Sequence, residues 1–435
     1  RFRIDVRVRQ EVTAIDPEGK TVTVHTLDSG KFYTETYDKL ILAPGAKPTV
    51  PALSGVDSER VFTLRTVEDT LRIRRFVEDQ KPKTAVLAGG GFIGLEMAEN
   101  LAEMGIAVTI VQRPKQLLAP LDADMASFVH GEMRRHGVVL RLGETVTGFR
   151  QDGDSVLTLL EGSEPLHSDM VLLAIGVTPD THLAKDAGLR LGIRGSIAVN
   201  ERMETSVPDI YAVGDAVEVT HFVTDQKTLI SLAGPANKQG RIAADNICGG
   251  NSRFHGSQGS SVLKLFGLTA ASTGINEKAA QAAGITYDKV VLFPASHATY
   301  YPGAQSMAMK VLYEKESLRL LGAQIVGGDG VDKRIDVLAT AIRAKMTALE
   351  LTELDLSYAP PYSSAKDPVN MAGFMIEDLE SGKVRQFHWN EVEDLPCDGS
   401  VTLLDVRTEG EYRRGYLNGF RNIPLDDLRE HLDEL

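Results

Sequence analysis

A chain of 435 residues, 43% hydrophobic and 25% charged, has the make-up of a soluble globular protein with room for about two to four domains. A formal net charge of −13 argues against a nucleic-acid-binding surface, and the chain shows neither a membrane-length apolar run nor a signal-peptide pattern. Its two cysteines, Cys248 and Cys397, stand far apart and outside any C-x-x-C spacing, which argues against a disulfide framework and for a reducing cytoplasm.

Residues 1 to 37 alternate apolar and polar positions (Ile4, Val6, Val8; Val22, Val24; Phe32, Tyr33) between turns at Asp16-Pro17-Glu18-Gly19 and Asp28-Ser29-Gly30, and predict an antiparallel meander. YDKLILAPGAKP then reads as a buried strand ending in Ala43-Pro44-Gly45, a pattern that suits a plain turn as well as a ligand contact.

Thr84 to Val111, TAVLAGGGFIGLEMAENLAEMGIAVTIV, carries the most specific local signal. A β-branched and apolar run meets Gly89, Gly91 and Gly94 in the order G-x-G-x-x-G. A helix with Ile93, Met97, Leu101 and Met104 on its apolar stripe follows, then Gly105 as a left-handed stop and a second strand, 107–111. In this strand-turn-helix setting the glycines supply a tight turn, close approach of backbone N–H groups to a pyrophosphate and close helix packing, which predicts dinucleotide binding. Gln112-Arg113 occupy the strand end where such folds usually place an acid for the ribose hydroxyl. A neutral glutamine and a cation there admit NADPH and do not exclude NADH.

A helix over 122–136 and strands near 138–142 and 156–160 lead to a third buried strand ending in Ile175-Gly176-Val177. Its pattern of apolar run, small residues, glycine and proline repeats that of LILAPGAKP, which suggests two related dinucleotide units. A strand over 210–213 runs into Gly214-Asp215, a carboxylate placed to hold sugar hydroxyls or simply to close a turn. SLAGPANKQGRIAADNI starts a helix with Pro235 in its first turn.

Residues 256 to 372 read as α+β, with strands at 262–266, 290–293, 307–313 and 320–327 and a helix over 333–345. Two tyrosine-bearing clusters, SHATYYPGAQ (296–305) and LSYAPPYSSAKDPVNMAG (356–373), suit packed corners or proton donors, since an unperturbed tyrosine stays protonated to a pH of about 10. Residues 374–400 read as a polar linker with one short helix, and VTLLDVRTEGEYRRGYLNGFRNIPL as strand, short helix and strand.

Together GGGFIGLEMAE, YAVGDA, ASHATYYPGA and YAPPYSSAKDPVNMAG, in that order, resemble the pyridine-nucleotide disulfide oxidoreductases, and most closely the branch of coenzyme A-disulfide reductases, NADH oxidases and polysulfide reductases with a fused rhodanese domain. The resemblance implies an α/β fold with two Rossmann-like domains. An FAD-binding domain (1–80 and 201–255) is interrupted by an NAD(P)H-binding domain (81–200). A dimerisation domain (256–375), a linker (376–395) and a rhodanese-like domain (396–435) follow. It casts Phe92 as a gate over the flavin, Glu96 as a nicotinamide contact, and Ile93, Gln112, Arg113, Ile175, Gly176 and Val177 among the NAD(P)H contacts. Val12, Ala43, Pro44 and Gly45 would line the adenosine side of FAD, Gly214 and Asp215 its ribityl chain, and Ala233 with the Pro235 helix its ring. Tyr300 and Tyr358 would enter the partner subunit's active site in a homodimer, with Lys366 and Arg241 meeting coenzyme A phosphates.

The implied activity is FAD-dependent NAD(P)H reduction of coenzyme A disulfide, its persulfide or polysulfide through a cysteine thiol, with no metal. The alternatives are an NADH oxidase or peroxidase on the same scaffold, or a non-catalytic dimeric nucleotide-binding module. The family's first glycine fingerprint and redox cysteine are expected before Arg1, and a sulfurtransferase cysteine loop beyond Leu435, so the chain reads as the middle of a longer enzyme. Cys248 and Cys397 both read as structural.

Overall fold

The computed structural model describes residues 4–396 and 398–435, so the reading of Cys397 lies outside the described residues. Two compact units divide the chain, 1–377 and 378–435.

The first unit opens with the antiparallel sheet β1 (Gln10–Asp16), β2 (Thr21–Thr26) and β3 (Lys31–Thr36). Its two turns fall where the sequence places them. Residues 4–8 do not form a strand, and Ile4, Val6 and Val8 stay largely exposed, because alternation builds no strand without a neighbour to bond. β4 (Leu40–Leu42) and β5 (Ala46–Pro48) then flank the Ala43-Pro44-Gly45 turn.

An α/β layer follows: β6 (Val61–Thr63), α1 (Val67–Gln80), β7 (Thr84–Ala88), α2 (Phe92–Glu103), β8 (Ala107–Gln112), α3 (Ala123–Arg135) and β9 (Val139–Leu142). An antiparallel trio, β10 (Val146–Asp152), β11 (Ser155–Leu160) and β12 (Ser163–Ser168), precedes β13 (Met170–Leu173), which returns to the main sheet. The five strands β6-β13-β7-β8-β9 are all parallel. β6, from before residue 80, bonds into this sheet, so the sheet draws on chain ahead of Thr84.

α2 buries Gly94, Leu95, Ala98 and Leu101, whereas Ile93 and Met97 are half-buried and Met104 is exposed. The expected stripe is therefore rotated. Leucines and small residues, not methionines, are buried, and Gly94 lets the helix start hard against the turn, where a Cβ would lie 2.1 Å from the Gly89 oxygen. Gly105 does take the left-handed conformation, with φ 81°.

The chain then returns through β14 (Val177–Pro179), α4 (His182–Asp186), β15 (Ile210–Ala212), the ribbon β16 (Val219–Thr220) and β17 (Lys227–Thr228), and α5 (Ala233–Ile247). β15 pairs in parallel with β4, and Ala184, Leu189 and Ile197 share one core with Ile15, Val22 and Leu42. The two strand-end loops that repeat each other in sequence meet directly: β14 lies antiparallel to β5, Val177 opposite Pro48.

The remainder of this unit is β18 (Ser261–Leu265), β19 (Leu268–Gly274), α6 (Glu277–Ala282), β20 (Tyr287–Leu292), β21 (Met307–Glu314), β22 (Leu320–Gly327), α7 (Val331–Arg343) and α8 (Pro368–Glu380). The strands form an antiparallel sheet, β18-β19-β22-β21-β20. β19 is the element the sequence conceals, since LTAASTG is small and polar and only its cross-strand partners make it a strand. Residues 374–380, expected as linker, continue α8, whose Val369, Ala372 and Ile376 are buried.

In the second unit β23 (Leu404–Asp405) runs parallel to β24 (Arg421–Asn422), with α9 (Glu409–Arg414) between them. Thr408 and Glu411 form a capping box that starts α9. No helix among the described residues is long and apolar enough to cross a membrane.

Candidate active site

The glycine turn sits at the carboxyl end of β7, whose side chains are almost wholly buried. Gly89 has φ 115°, and a Cβ there would lie 2.3 Å from the Ala174 carbonyl oxygen. A Cβ on Gly94 would lie 2.1 Å from the Gly89 oxygen. Gly91 differs: it is the N-cap of α2, and a Cβ there would meet nothing within 4 Å. Two glycines thus answer to the fold and the third to open space at a helix N-terminus without a side-chain cap. That is a cradle for an anion with a pyrophosphate's demands.

The loop after β8 closes one flank. Gln112 accepts from the Gly90 N–H at 2.9 Å through Oε1 and donates to the Gln116 carbonyl at 3.3 Å. The Leu118 N–H donates to the Gly90 carbonyl, and the Leu117 N–H donates to His130 Nε2 at 3.1 Å. Burial, with Arg134 adding to it, holds the His130 imidazole below its ordinary range, which keeps it neutral and able to accept. Gln112 is therefore committed to the glycine turn. Arg113 is exposed and makes no hydrogen bond or ion pair among the described residues, while the Glu144 N–H donates to the Gln112 carbonyl at 3.2 Å. Phe92 is half-buried at the start of α2 beside a small gap bounded by Leu118, Leu121 and Ala270, and Glu96 is exposed one turn on. Ile175 is half-exposed after β13. Gly176, with φ 114°, accepts from the Thr49 N–H, and Val177 opens β14.

The second strand-end group gathers around β4 and β15. The Val213 N–H donates to the Leu42 carbonyl, and the Gly214 N–H to the buried Gln239 side chain at 2.7 Å. Asp215 pairs with Arg65 at 2.7 Å, and Arg65 reaches over Gly45, whose φ is 72°. Ala43-Pro44-Gly45 and Gly214-Asp215 thus share one rim, where a bound sugar and phosphate would meet Asp215 and Arg65 together. Val12 lies on β1, in a separate sheet and partly exposed. α5 begins at Ala233 with Pro235 in its first turn and, like α2, lacks a side-chain cap. Arg241 is highly exposed and lines a cleft of about 890 Å³ with Pro235, Lys238, His255 and Arg343. Cys248 ends α5, about 22 Å along the helix from Ala233, and is exposed.

Tyr300 and Tyr358, 58 residues apart, bring their hydroxyls to 3.3 Å while the side chains stay exposed. Sharing its proton with the Tyr358 oxygen raises the Tyr300 phenol above its ordinary value. Lys366 is exposed in the second of these loops.

One cluster has no forewarning in the sequence. Lys310 on β21 is fully buried, with its ammonium 3.1 Å from Asp122, 2.9 Å from Asp124 and bonded to Glu277. Burial alone would raise Glu277, but Lys289, Lys310 and the Tyr287 phenol hold it at about 2. The three carboxylates have the spacing of a cation site, but the Lys310 ammonium fills that role. The cluster joins the start of α3 to the β18–β22 sheet.

Residues 1–240 match the pyridine nucleotide-disulphide oxidoreductase family, and residues 261–368 its dimerisation domain. A coenzyme A disulfide reductase of Staphylococcus haemolyticus is 35% identical over 86% of this chain and 84% of that protein. The crystal structure of reduced Bacillus anthracis CoADR-RHD is 47% identical, covers 100% of this chain and 78% of that one, and superposes with a TM-score of 0.94. An NAD-dependent persulfide reductase from A. fulgidus is 38% identical over 99% of this chain and 78% of that one, with a TM-score of 0.93.

Proposed function

The chain belongs to the pyridine nucleotide-disulphide oxidoreductase family, and from that premise we propose that it reduces coenzyme A disulfide, coenzyme A persulfide or polysulfide with NAD(P)H. It is an enzyme of an FAD- and NAD(P)H-dependent family. For the disulfide the balance is NAD(P)H, a proton and one disulfide giving NAD(P)⁺ and two thiols. Bound FAD supplies the carrier that takes hydride from the nicotinamide and releases electrons in pairs.

The residues divide the rest of the work. Gly89, Gly91, Gly94 and the N-terminus of α2 hold the NAD(P)H pyrophosphate. Arg65, Asp215 and the Ala43-Pro44-Gly45 turn hold the sugar and phosphate part of FAD, and the dipole of α5 favours negative charge on the ring. Tyr300 and Tyr358, acting across a homodimer, donate a proton to the sulfur anion that leaves. Lys366 and Arg241 attract coenzyme A phosphates. The proposed electron relay is a cysteine thiol, a role given to neither Cys248 nor Cys397, and the proposed setting is a reducing cytoplasm. Residues 396–435 are the rhodanese-like part, a reading supported by the β23-α9-β24 unit and by a likeness to CoADR-RHD that covers 100% of this chain and 78% of that one.

The observation that carries this reading is the tyrosine pair, two exposed hydroxyls 3.3 Å apart that suit protonation of a leaving sulfur anion. The test compares NAD(P)H consumption with coenzyme A disulfide or polysulfide against consumption with oxygen alone. Sulfur-dependent turnover well above the oxygen rate is expected, and oxygen turnover equal to it sinks the proposal.

A further inference from the structure

Tyr300 and Tyr358 protrude from loops and touch each other through their hydroxyls, so their mutual position depends on how the two loops are anchored. Both are anchored to one buried side chain. Arg334 on α7 is 1% exposed and lies on the apolar stripe of that helix, with Val331, Ile335 and Leu338. Its Nη2 donates to the Ser296 carbonyl at 3.0 Å, at the start of the loop that carries Tyr300. The same nitrogen donates to the Tyr362 carbonyl at 3.2 Å, the Ser363 hydroxyl at 3.1 Å and Asp367 at 3.1 Å, all in the loop that carries Tyr358. Its Nη1 donates to the Gly330 carbonyl at 3.1 Å.

Asp367 completes the joint. Its Oδ2 accepts from Ser363 at 2.8 Å, and its Oδ1 accepts from the Val369 N–H at 3.0 Å as α8 begins. The loops also meet directly, Ala298 N–H to the Ser363 carbonyl, and Lys333 donates to the Ser357 carbonyl at 3.2 Å, beside Tyr358.

A buried ion pair is weak evidence for stability, since apolar residues of the same volume often serve as well. Here the arginine even leaves its Nε buried without a partner. What an apolar residue could not supply is a fork that fixes two loops and two helices in one register.

From this, and resting on the reading of Tyr300 and Tyr358 as proton donors to sulfur, we infer that Arg334 with Asp367 is the positioning pair of the tyrosines. It touches neither substrate nor flavin and acts by holding the two phenols together.

The test is Arg334→Lys in the flavin-loaded enzyme, which keeps the charge and loses the fork. Hydrogen exchange of segments 296–305 and 357–366 is expected to speed up while that of 92–103 stays unchanged. The kcat with polysulfide is expected to fall about 10- to 100-fold. The KM for NAD(P)H and the rate of quinone reduction, which draws electrons straight from the flavin, are expected to stay within about twofold. Ser363→Ala removes one bonded hydroxyl without stranding a charge and is expected to move the same readouts less, so it serves should Arg334→Lys fail to fold. Unchanged exchange in both loops overturns the inference, as does equal loss of quinone and polysulfide turnover. Faster exchange with intact polysulfide turnover sustains Arg334 as the anchor and refutes the tyrosines' role in sulfur reduction.

Discussion

Gly91→Ala separates the fold from the nucleotide more cleanly than any other change in the glycine turn. Gly91 has φ −85° and ψ −172°, a conformation alanine adopts, and its new methyl would meet no atom within 4 Å. Alanine is a poorer N-cap than glycine, by about 0.5–1.5 kcal/mol, and about 0.4–1 kcal/mol from the stiffer unfolded chain offsets most of this. The melting temperature is therefore expected to move by less than about 2 °C. A pyrophosphate bonded to the N–H groups of this turn has to approach through the space the methyl takes. Losing one charge-assisted hydrogen bond, worth roughly 1.5–3 kcal/mol, raises the KM for NAD(P)H about 10- to 100-fold.

Gly94→Ala is the counterpart. Its methyl would sit 2.1 Å from a backbone oxygen, against the 3.4 Å of ordinary contact, so α2 must retreat by roughly 1.3 Å. That costs about 1–3 kcal/mol of stability and distorts the turn as well. Thermal melts and NAD(P)H titrations of the two variants decide the matter. A Gly91→Ala enzyme with unchanged KM removes the pyrophosphate from this turn, and one that melts as early as Gly94→Ala refutes the packing argument.

Arg113→Glu is expected to raise the KM for NADPH about tenfold more than that for NADH, since only the former brings a 2′-phosphate to the exposed guanidinium, and an unchanged ratio of the two removes Arg113 from the site. Lys310→Met leaves three carboxylates facing one another without a cation and is expected to cost about 3–5 kcal/mol at pH 7 by urea denaturation, with part of the loss recovered near pH 5 as a carboxylate takes up a proton. In the unaltered protein Glu277 binds its proton less readily folded, at about 2, than unfolded, at about 4.5, so its contribution is present above pH 4.5 and fades as the pH falls toward 2. The ceiling on that contribution is about 3 kcal/mol, reduced by Asp122, which burial pushes the opposite way; urea midpoints that rise on acidification from pH 5 to 3 contradict the sign.

The parallel sheet was legible because β7, β8 and β13 are short apolar runs bounded by glycine, and local pattern suffices for a strand buried on both faces. The glycine turn was legible for the same reason, each glycine reporting a backbone demand. β19 was not, because its partners lie in distant sequence. That the Gln112 amide accepts from the Gly90 N–H was not legible, since nothing in the sequence reports where a side-chain amide bonds. Arg334 left a faint trace, a charge at helical spacing within Val331, Ile335, Leu338 and Ile342, which marks a buried cation only when the surrounding acceptors are known. Lys310 likewise interrupts MAMKVLY, a run that period-2 reasoning would turn outward, yet both faces of β21 are covered.

The pairing of Pro48 with Val177 sets how this enzyme can be rebuilt. Opposite residues of an antiparallel pair lie about 4.5–5.5 Å apart, so the chain leaves and re-enters the layer built on β4 and β15 through one doorway. Residues 49 to 176, with the five-stranded sheet complete, are therefore a cassette whose ends a single short splice can join. A relative's cassette exchanged at those two points leaves the tyrosine loops in native sequence, provided that it retains Arg65, the partner of Asp215, and Asp122 and Asp124, which hold the buried Lys310.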